Sequence, residues 1–189
     1  MLPGLTRSVF PACLLILLLF GFRGALFGDG QFTYRDSGEF YYPLYERVQE
    51  EWGAGRWPLW EPGENGGMPI LGNPTAAVLY PGKLIYAVLP YRWGARLYVV
   101  AHLLLASIAM YGMMRSWEVS PTGSALAAIA YAFSGPILFL YCNIVFLVGA
   151  AWLPLGFRAA DRWLRLGRPV ALLELSAVIA LQTLGGDPE

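Results

Sequence analysis

Five stretches of this chain carry runs of apolar residues close to the length of a membrane crossing, about 20 residues for a hydrocarbon core of about 30 Å. The first covers 8–27, with Arg23 near its outer end, where a long cationic stem can reach water. The second covers 96–115 and holds no Asp, Glu, Lys or Arg from Leu97 to Met114. Between Glu118 and Arg158 lie 39 residues without such a charge, too many for one crossing and suited to a hairpin of two, with its turn near Tyr141 to Asn143. The fifth covers 169–185, with Glu174 close to its start. This pattern predicts an all-α, polytopic membrane helix bundle of about five transmembrane helices. It reads as one membrane domain over 1–189: a first span (1–27), a long outer loop (28–95) and four further spans (96–189).

The loop over 28–95 has patterns of its own. Phe40, Leu44, Val48 and Trp52 recur every four residues with Tyr41 and Tyr45 beside them, and Glu46, Arg47, Glu50 and Glu51 take the other face. That periodicity predicts a helix lying in the interface plane, kinked or started at Pro43. The Gly/Pro-rich run "GAGRWPLWEPGENGG" shows no period. Asn73-Pro74 then reads as an N-cap and first helical residue, opening a second helix to about Leu89 that Pro81-Gly82 interrupts. Trp52, Trp57, Trp60, Tyr80, Tyr86, Tyr91, Trp93 and Tyr98 supply aromatics suited to the headgroup level.

Composition supports a membrane class: 57% of residues are hydrophobic and 14% charged, against about 25% charged in soluble domains. Thirteen basic and thirteen acidic residues cancel, with a single lysine, so the basic stripe of a nucleic-acid binder is absent and no nucleic-acid partner is expected. Cys13 and Cys142 fall near opposite membrane faces and are not expected to pair. The first apolar run lacks a small-x-small cleavage site and reads as an uncleaved span. "RAADRWLRLGR", 158–168, carries four arginines and is the best cytoplasmic marker. Counting spans from it puts the N-terminus inside, and 28–95 and the closing "GGDPE" outside.

Asp36 and Glu39 are the first candidates for chemistry. One reading is a capping box, Asp36 as N-cap and Glu39 at N3. The other is a carboxylate at the water–lipid boundary that accepts a proton from an acceptor hydroxyl. Asp187 and Glu189 form a second acidic pair, either an ordinary helix end or a tight turn over a cavity. His102, the lone histidine, reads as a helix–helix hydrogen-bond partner or a binding residue. Glu174 is expected to pair with Arg168 or the nearby interface, and Arg35, Arg56, Lys83, Arg92 and Arg96 are cations able to hold a lipid phosphate. No Walker loop, dinucleotide fingerprint, CxxC or zinc-type histidine pair occurs.

"GRWPLWEPGENGGMPILGNPTAAVLYPGKLIYAVLP", with "FSG", "AWLPL" and "LGGDPE" downstream, resembles bacterial YfhO-like multi-pass membrane proteins of the GT-C glycosyltransferase class. The resemblance implies a GT-C-like fold, a location in the bacterial inner (plasma) membrane, and transfer of a sugar from a polyprenyl-phosphate donor to an acceptor on the outer face. By it Asp36 is the general base, with Glu39 and Asp187 as further catalytic candidates. Arg35, Arg56, Asn73, His102 and Glu189 are substrate-binding candidates. Membrane lipid and the polyprenyl-phosphate sugar are the implied partners. Family members differ in using a divalent metal, so the cofactor stays open. Glu61 stands where the family has asparagine, and Asp187 where it has histidine. Members of the family are several times longer, so the chain is expected to be an N-terminal fragment. The alternative function is a non-catalytic membrane protein that binds or moves lipid-linked glycan. A transporter ranks third, because few ionisable residues lie at membrane depth.

Overall fold

The structure, a computed structural model, describes residues 5–63 and 66–186. In chain order its helices are α1 (Leu5–Gly21), α2 (Arg23–Leu26), α3 (Tyr42–Gly53), α4 (Ile85–Val88), α5 (Tyr91–Ser116), α6 (Pro121–Ala132), α7 (Gly135–Phe139), α8 (Ile144–Leu166) and α9 (Pro169–Leu184). Among the described residues the fold is thus all-α apart from one antiparallel pairing of β1 (Trp60–Glu61) with β2 (Met68–Pro69). That pairing lies in the run where no period was visible, and strands of two residues are too short to leave one.

Two helices, α5 and α8, are long and apolar enough to cross a membrane, and the pair α6 and α7, bent by 40°, makes a third if counted as one span. The bend follows from Ser134-Gly135-Pro136: Ser134 takes extended backbone, its hydroxyl accepts from the Ile137 amide, and α7 starts afresh at the proline. The expected hairpin turn near Tyr141 is a 3-10 turn over Leu140–Cys142, just before α8. At 17 and 16 residues, α1 and α9 are apolar but shorter than the two long helices.

The long helices pack side by side, α1 on α6, α6 on α5, α5 on α8 and α8 on α9. On α1 the stripe Phe10, Leu14, Leu18 faces α5 and α6, whereas Leu15, Ile16, Leu19 and Phe20 point away from the protein. Ala106, Ala132 and Ala151 are fully buried together where α5, α6 and α8 meet, and small side chains there let three backbones approach. Arg115, Arg158, Arg162, Arg165 and Arg168 gather at the end remote from the outer loop. There Glu174 pairs with Arg162 at 2.6 Å rather than with Arg168, because Arg162 sits on the face of α8 that meets α9.

Residues 28–95 fold onto the opposite end of the bundle. α3 starts at Tyr42, with Pro43 in its first turn and a π-helical turn over Ser37–Tyr41 leading into it, and buries Tyr42, Leu44, Tyr45 and Val48 against α4, α5 and the turn at Pro74. Its apolar face is covered by protein rather than left free for an interface, and Phe40 stays exposed. Glu51, placed on the polar face by periodicity, is buried because Arg47 and Arg56 both reach it. The expected second helix is instead three short turns: Pro74–Ala76, Pro81–Leu84 and α4. Ala77, in left-handed backbone, ends the first of them and Pro81 starts the second.

Candidate functional site

The segment Tyr34 to Tyr41 joins the first helices to α3, and its geometry departs from a capping box. Arg35 lies at φ 53°, in the left-handed region, and this leaves Asp36 already helical at φ −61° and ψ −25°. An N-cap requires extended backbone to aim its side chain at the free amides, so Asp36 makes no cap bond. Ser37 closes the turn instead: its hydroxyl accepts from the Tyr34 amide and donates to the Tyr34 carbonyl, both at 2.9 Å. The amides of Gly38 and Glu39 reach the Arg35 carbonyl at 3.2 and 3.3 Å. Among the described residues, Asp36 and Glu39 form neither an ion pair nor a side-chain hydrogen bond, and both are exposed.

Beside Asp36 stands Tyr41, whose hydroxyl donates to Asn143 Oδ1 at the start of α8. Burial, and then the nearby Asp36 carboxylate, push the Tyr41 pKa up to about 12, so the phenol is neutral and a donor at physiological pH. Asp187 and Glu189 lie outside the described residues. Gly186, the last described residue, packs at the same end of the bundle: a Cβ there would lie 2.7 Å from both the Pro74 carbonyl oxygen and Val145 Cγ1. Its φ of 93° adds a backbone requirement for glycine. Gly186→Ala is therefore expected to lower stability by about 1–3 kcal/mol, read as a drop in thermal midpoint. Gly185→Ala, at an ordinary φ of −74°, is expected to cost less even though its Cβ would meet Val148 Cγ1.

Among the binding candidates, Arg56, Asn73 and His102 have internal partners. Arg56 Nε and Nη2 donate to Glu51 at 2.8 and 3.0 Å, and Arg47 joins Glu51 to Glu61. Arg35 and Arg56 sit at opposite ends of α3, a helix of 12 residues and so about 18 Å long. The structure therefore does not bring Arg56 to Asp36. Asn73 Oδ1 accepts from the amide and hydroxyl of Thr75, the N-cap role its position before proline indicates. His102 is buried with both ring nitrogens engaged, Nδ1 on the Tyr98 carbonyl at 2.7 Å and Nε2 on Tyr80 Oη at 2.8 Å.

Tyr80 Oη also accepts from Trp152 Nε1 at 2.9 Å, so this one hydroxyl ties the outer loop to α5 and α8. Tyr80→Phe would leave two ring nitrogens unpartnered, at an expected cost of about 1–3 kcal/mol for the buried histidine alone. Thermal unfolding in detergent reads that loss, and an unchanged midpoint would show the tie to be dispensable.

Sequence reasoning missed Ser37, Tyr41 and Asn143, whose partnerships depend on a left-handed residue and on a contact between distant segments. It also left Lys83 among surface cations. The single lysine of the chain is fully buried, its Nζ 2.7 Å from the centroid of the Tyr45 ring and 5.3 and 5.0 Å from those of Tyr86 and Tyr98. Its isolation as the sole lysine was the one signal available. Among the described residues no three His, Cys, Asp or Glu side chains gather as a metal-binding group. Comparison with known families, with curated proteins and with solved structures finds no match for this chain.

Proposed function

We propose that this chain is the N-terminal part of a GT-C-like glycosyltransferase of the bacterial inner membrane, taking a sugar from a polyprenyl-phosphate carrier on the outer face. In this reading α1, α5, the pair α6 and α7, α8 and α9 are the crossings. The arginine-rich end, with the N-terminus, is cytoplasmic. The observation that supports it most is the state of Asp36: a solvent-facing carboxylate with no cap bond and no ion pair, at the point where the chain passes from its first helices into the outer loop.

A carboxylate so placed can act as general base. Asp36 takes the proton of the acceptor hydroxyl, and the freed oxygen attacks the anomeric carbon. The bond from that carbon to the phosphate oxygen breaks, its electron pair leaves with polyprenyl phosphate, and the configuration inverts. Arg35, adjacent in the chain, supplies positive charge for the departing phosphate. Tyr41, whose one hydroxyl proton goes to Asn143, stays neutral and leaves only acceptor lone pairs beside the base.

The test incubates membranes carrying the intact protein with polyprenyl-phosphate hexoses and pentoses labelled in the sugar. Label is expected to leave the carrier and appear in an acceptor with inverted linkage. Donor that binds but is never consumed, whatever the acceptor, would favour the reading as a non-catalytic carrier of lipid-linked glycan.

A further inference from the structure

The eight aromatics expected at the headgroup level do not behave alike. Tyr80, Tyr86 and Tyr98 turn into the core, whereas Trp57 and Trp60 stay 66% and 53% exposed. Trp60 is nevertheless held in place: a Cβ on Gly67, itself at φ 108°, would lie 2.6 Å from its ring. The two tryptophans flank Leu59, also exposed, whose carbonyl accepts from the Ile70 amide at 3.0 Å. Ile70 points inward and is fully buried, and its neighbour Leu71 is exposed. Leu71 and Leu79 in turn line one cleft, of about 230 Å³, with Leu184 at the outer end of α9. Exposed apolar side chains thus occur at the β1–β2 hairpin, at the cleft it shares with the end of α9, and on α9 itself, whose Leu172, Leu173 and Ile179 face away from the protein.

Charge beside this surface is paired, with Arg56 still largely exposed at its edge. Arg56 and Glu61, the charged residues described between Trp52 and Met68, are both held by α3, one on Glu51 and the other on Arg47. A surface of tryptophan and leucine with an exposed arginine at its edge matches the headgroup–acyl boundary, where tryptophan is enriched and cations meet lipid phosphate.

We infer that the face formed by Trp57, Leu59, Trp60, Leu71 and Leu79 docks on the outer leaflet of the membrane that the long helices cross, with phospholipid as its partner. It rests on the membrane-crossing part of the proposed function and not on sugar transfer. The hairpin and the turn after it then sit at headgroup depth beside α9, and fix the height of the outer loop above the bilayer.

Nitroxide labels at Leu59→Cys, Leu71→Cys and Leu79→Cys, on intact protein with Cys13 and Cys142 replaced by serine, test this in phosphatidylethanolamine–phosphatidylglycerol vesicles. Ile108→Cys, exposed on α5, and Glu46→Cys, exposed on α3, serve as lipid and water references. Oxygen access exceeding access by a water-soluble nickel chelate is expected at 59, 71 and 79, as at 108, with the reverse at 46. Chelate access at the three hairpin positions with oxygen access kept at 108 overturns the docking alone. Low access to both reagents at the three positions means that protein covers the face, and also overturns it. Chelate access at 108 removes the membrane crossing and the docking with it.

Discussion

Asp36→Asn in the intact protein is expected to lower sugar transfer by about 10²–10⁴-fold, the usual contribution of a positioned base, with insertion and expression unchanged. The substitution is nearly isosteric, and the Asp36 side chain makes no hydrogen bond whose loss would loosen the turn. Its effect on stability should stay within about 0.5 kcal/mol, as for surface changes away from caps and buried pairs. Glu46→Gln is the matched control, because Glu46 is also an exposed carboxylate, on α3. A second readout is independent of turnover: the Asp36 charge contributes to the raised pKa of Tyr41, so absorbance titration should find that phenol ionising at lower pH in the variant. Transfer retained in Asp36→Asn would remove the general-base role, and nothing in the local hydrogen bonding would then assign this carboxylate a structural one.

Lys83→Met should stabilise the protein near neutral pH, by about 1–4 kcal/mol, the range found when buried charge is exchanged for apolar volume. Lys83 Nζ has no hydrogen-bond partner, and the rings of Tyr45, Tyr86 and Tyr98 supply only cation–π attraction, about 2 kcal/mol in a dry site. Burial outweighs that attraction and holds the amine well below the ordinary lysine value of 10.5. The sign follows from proton counts. Between the folded and unfolded values the unfolded chain binds a proton that the folded chain lacks, so stability rises with pH across that window and levels off near 10.5. The hydroxyls of Tyr45 and Tyr86, buried nearby, ionise well above their ordinary value and act in the opposite direction only above about pH 10. Thermal midpoints between pH 6 and 9.5 should therefore climb in the parent and flatten in Lys83→Met. Equal slopes in the two proteins would show that the lysine ionises inside its aromatic box.

The helical scaffold was legible because its signal is additive. Runs of uncharged residues located α5 within a few positions and α9 almost to its ends, and Asn143 marks the start of α8 as the hairpin argument required. The outer loop was harder to read. The fourfold recurrence of Phe40, Leu44, Val48 and Trp52 located α3, but a helix packed on two sides buries Tyr41, Tyr42 and Tyr45 as well, and periodicity alone cannot say which flank is covered. Glu51 looked polar in a helical projection and is buried because two arginines converge on it, a fact of tertiary contact. At Asp36, local chemistry pointed to a cap, and a left-handed backbone at Arg35 defeats it. Lys83 was hidden for the same reason: charge predicts exposure, and only the assembled tyrosines make room for it.

The contact of Gly186 with the Pro74 carbonyl and Val145, together with the bond from Tyr41 to Asn143, bears on how the chain is made. The outer segment emerges early in synthesis, yet its neighbours are the first turns of α8, some hundred residues later, and the last turn of α9. Until those helices have been delivered, its turns lack the surfaces that bury them, and such long-range closure is slow and leaves apolar segments uncovered. The order of biogenesis is thus inverted relative to the order of sequence: the first loop translated is among the last parts to set. Ribosome-bound intermediates halted before α8 should expose residues 28–95 to external protease, and those extended past Gly186 should protect them.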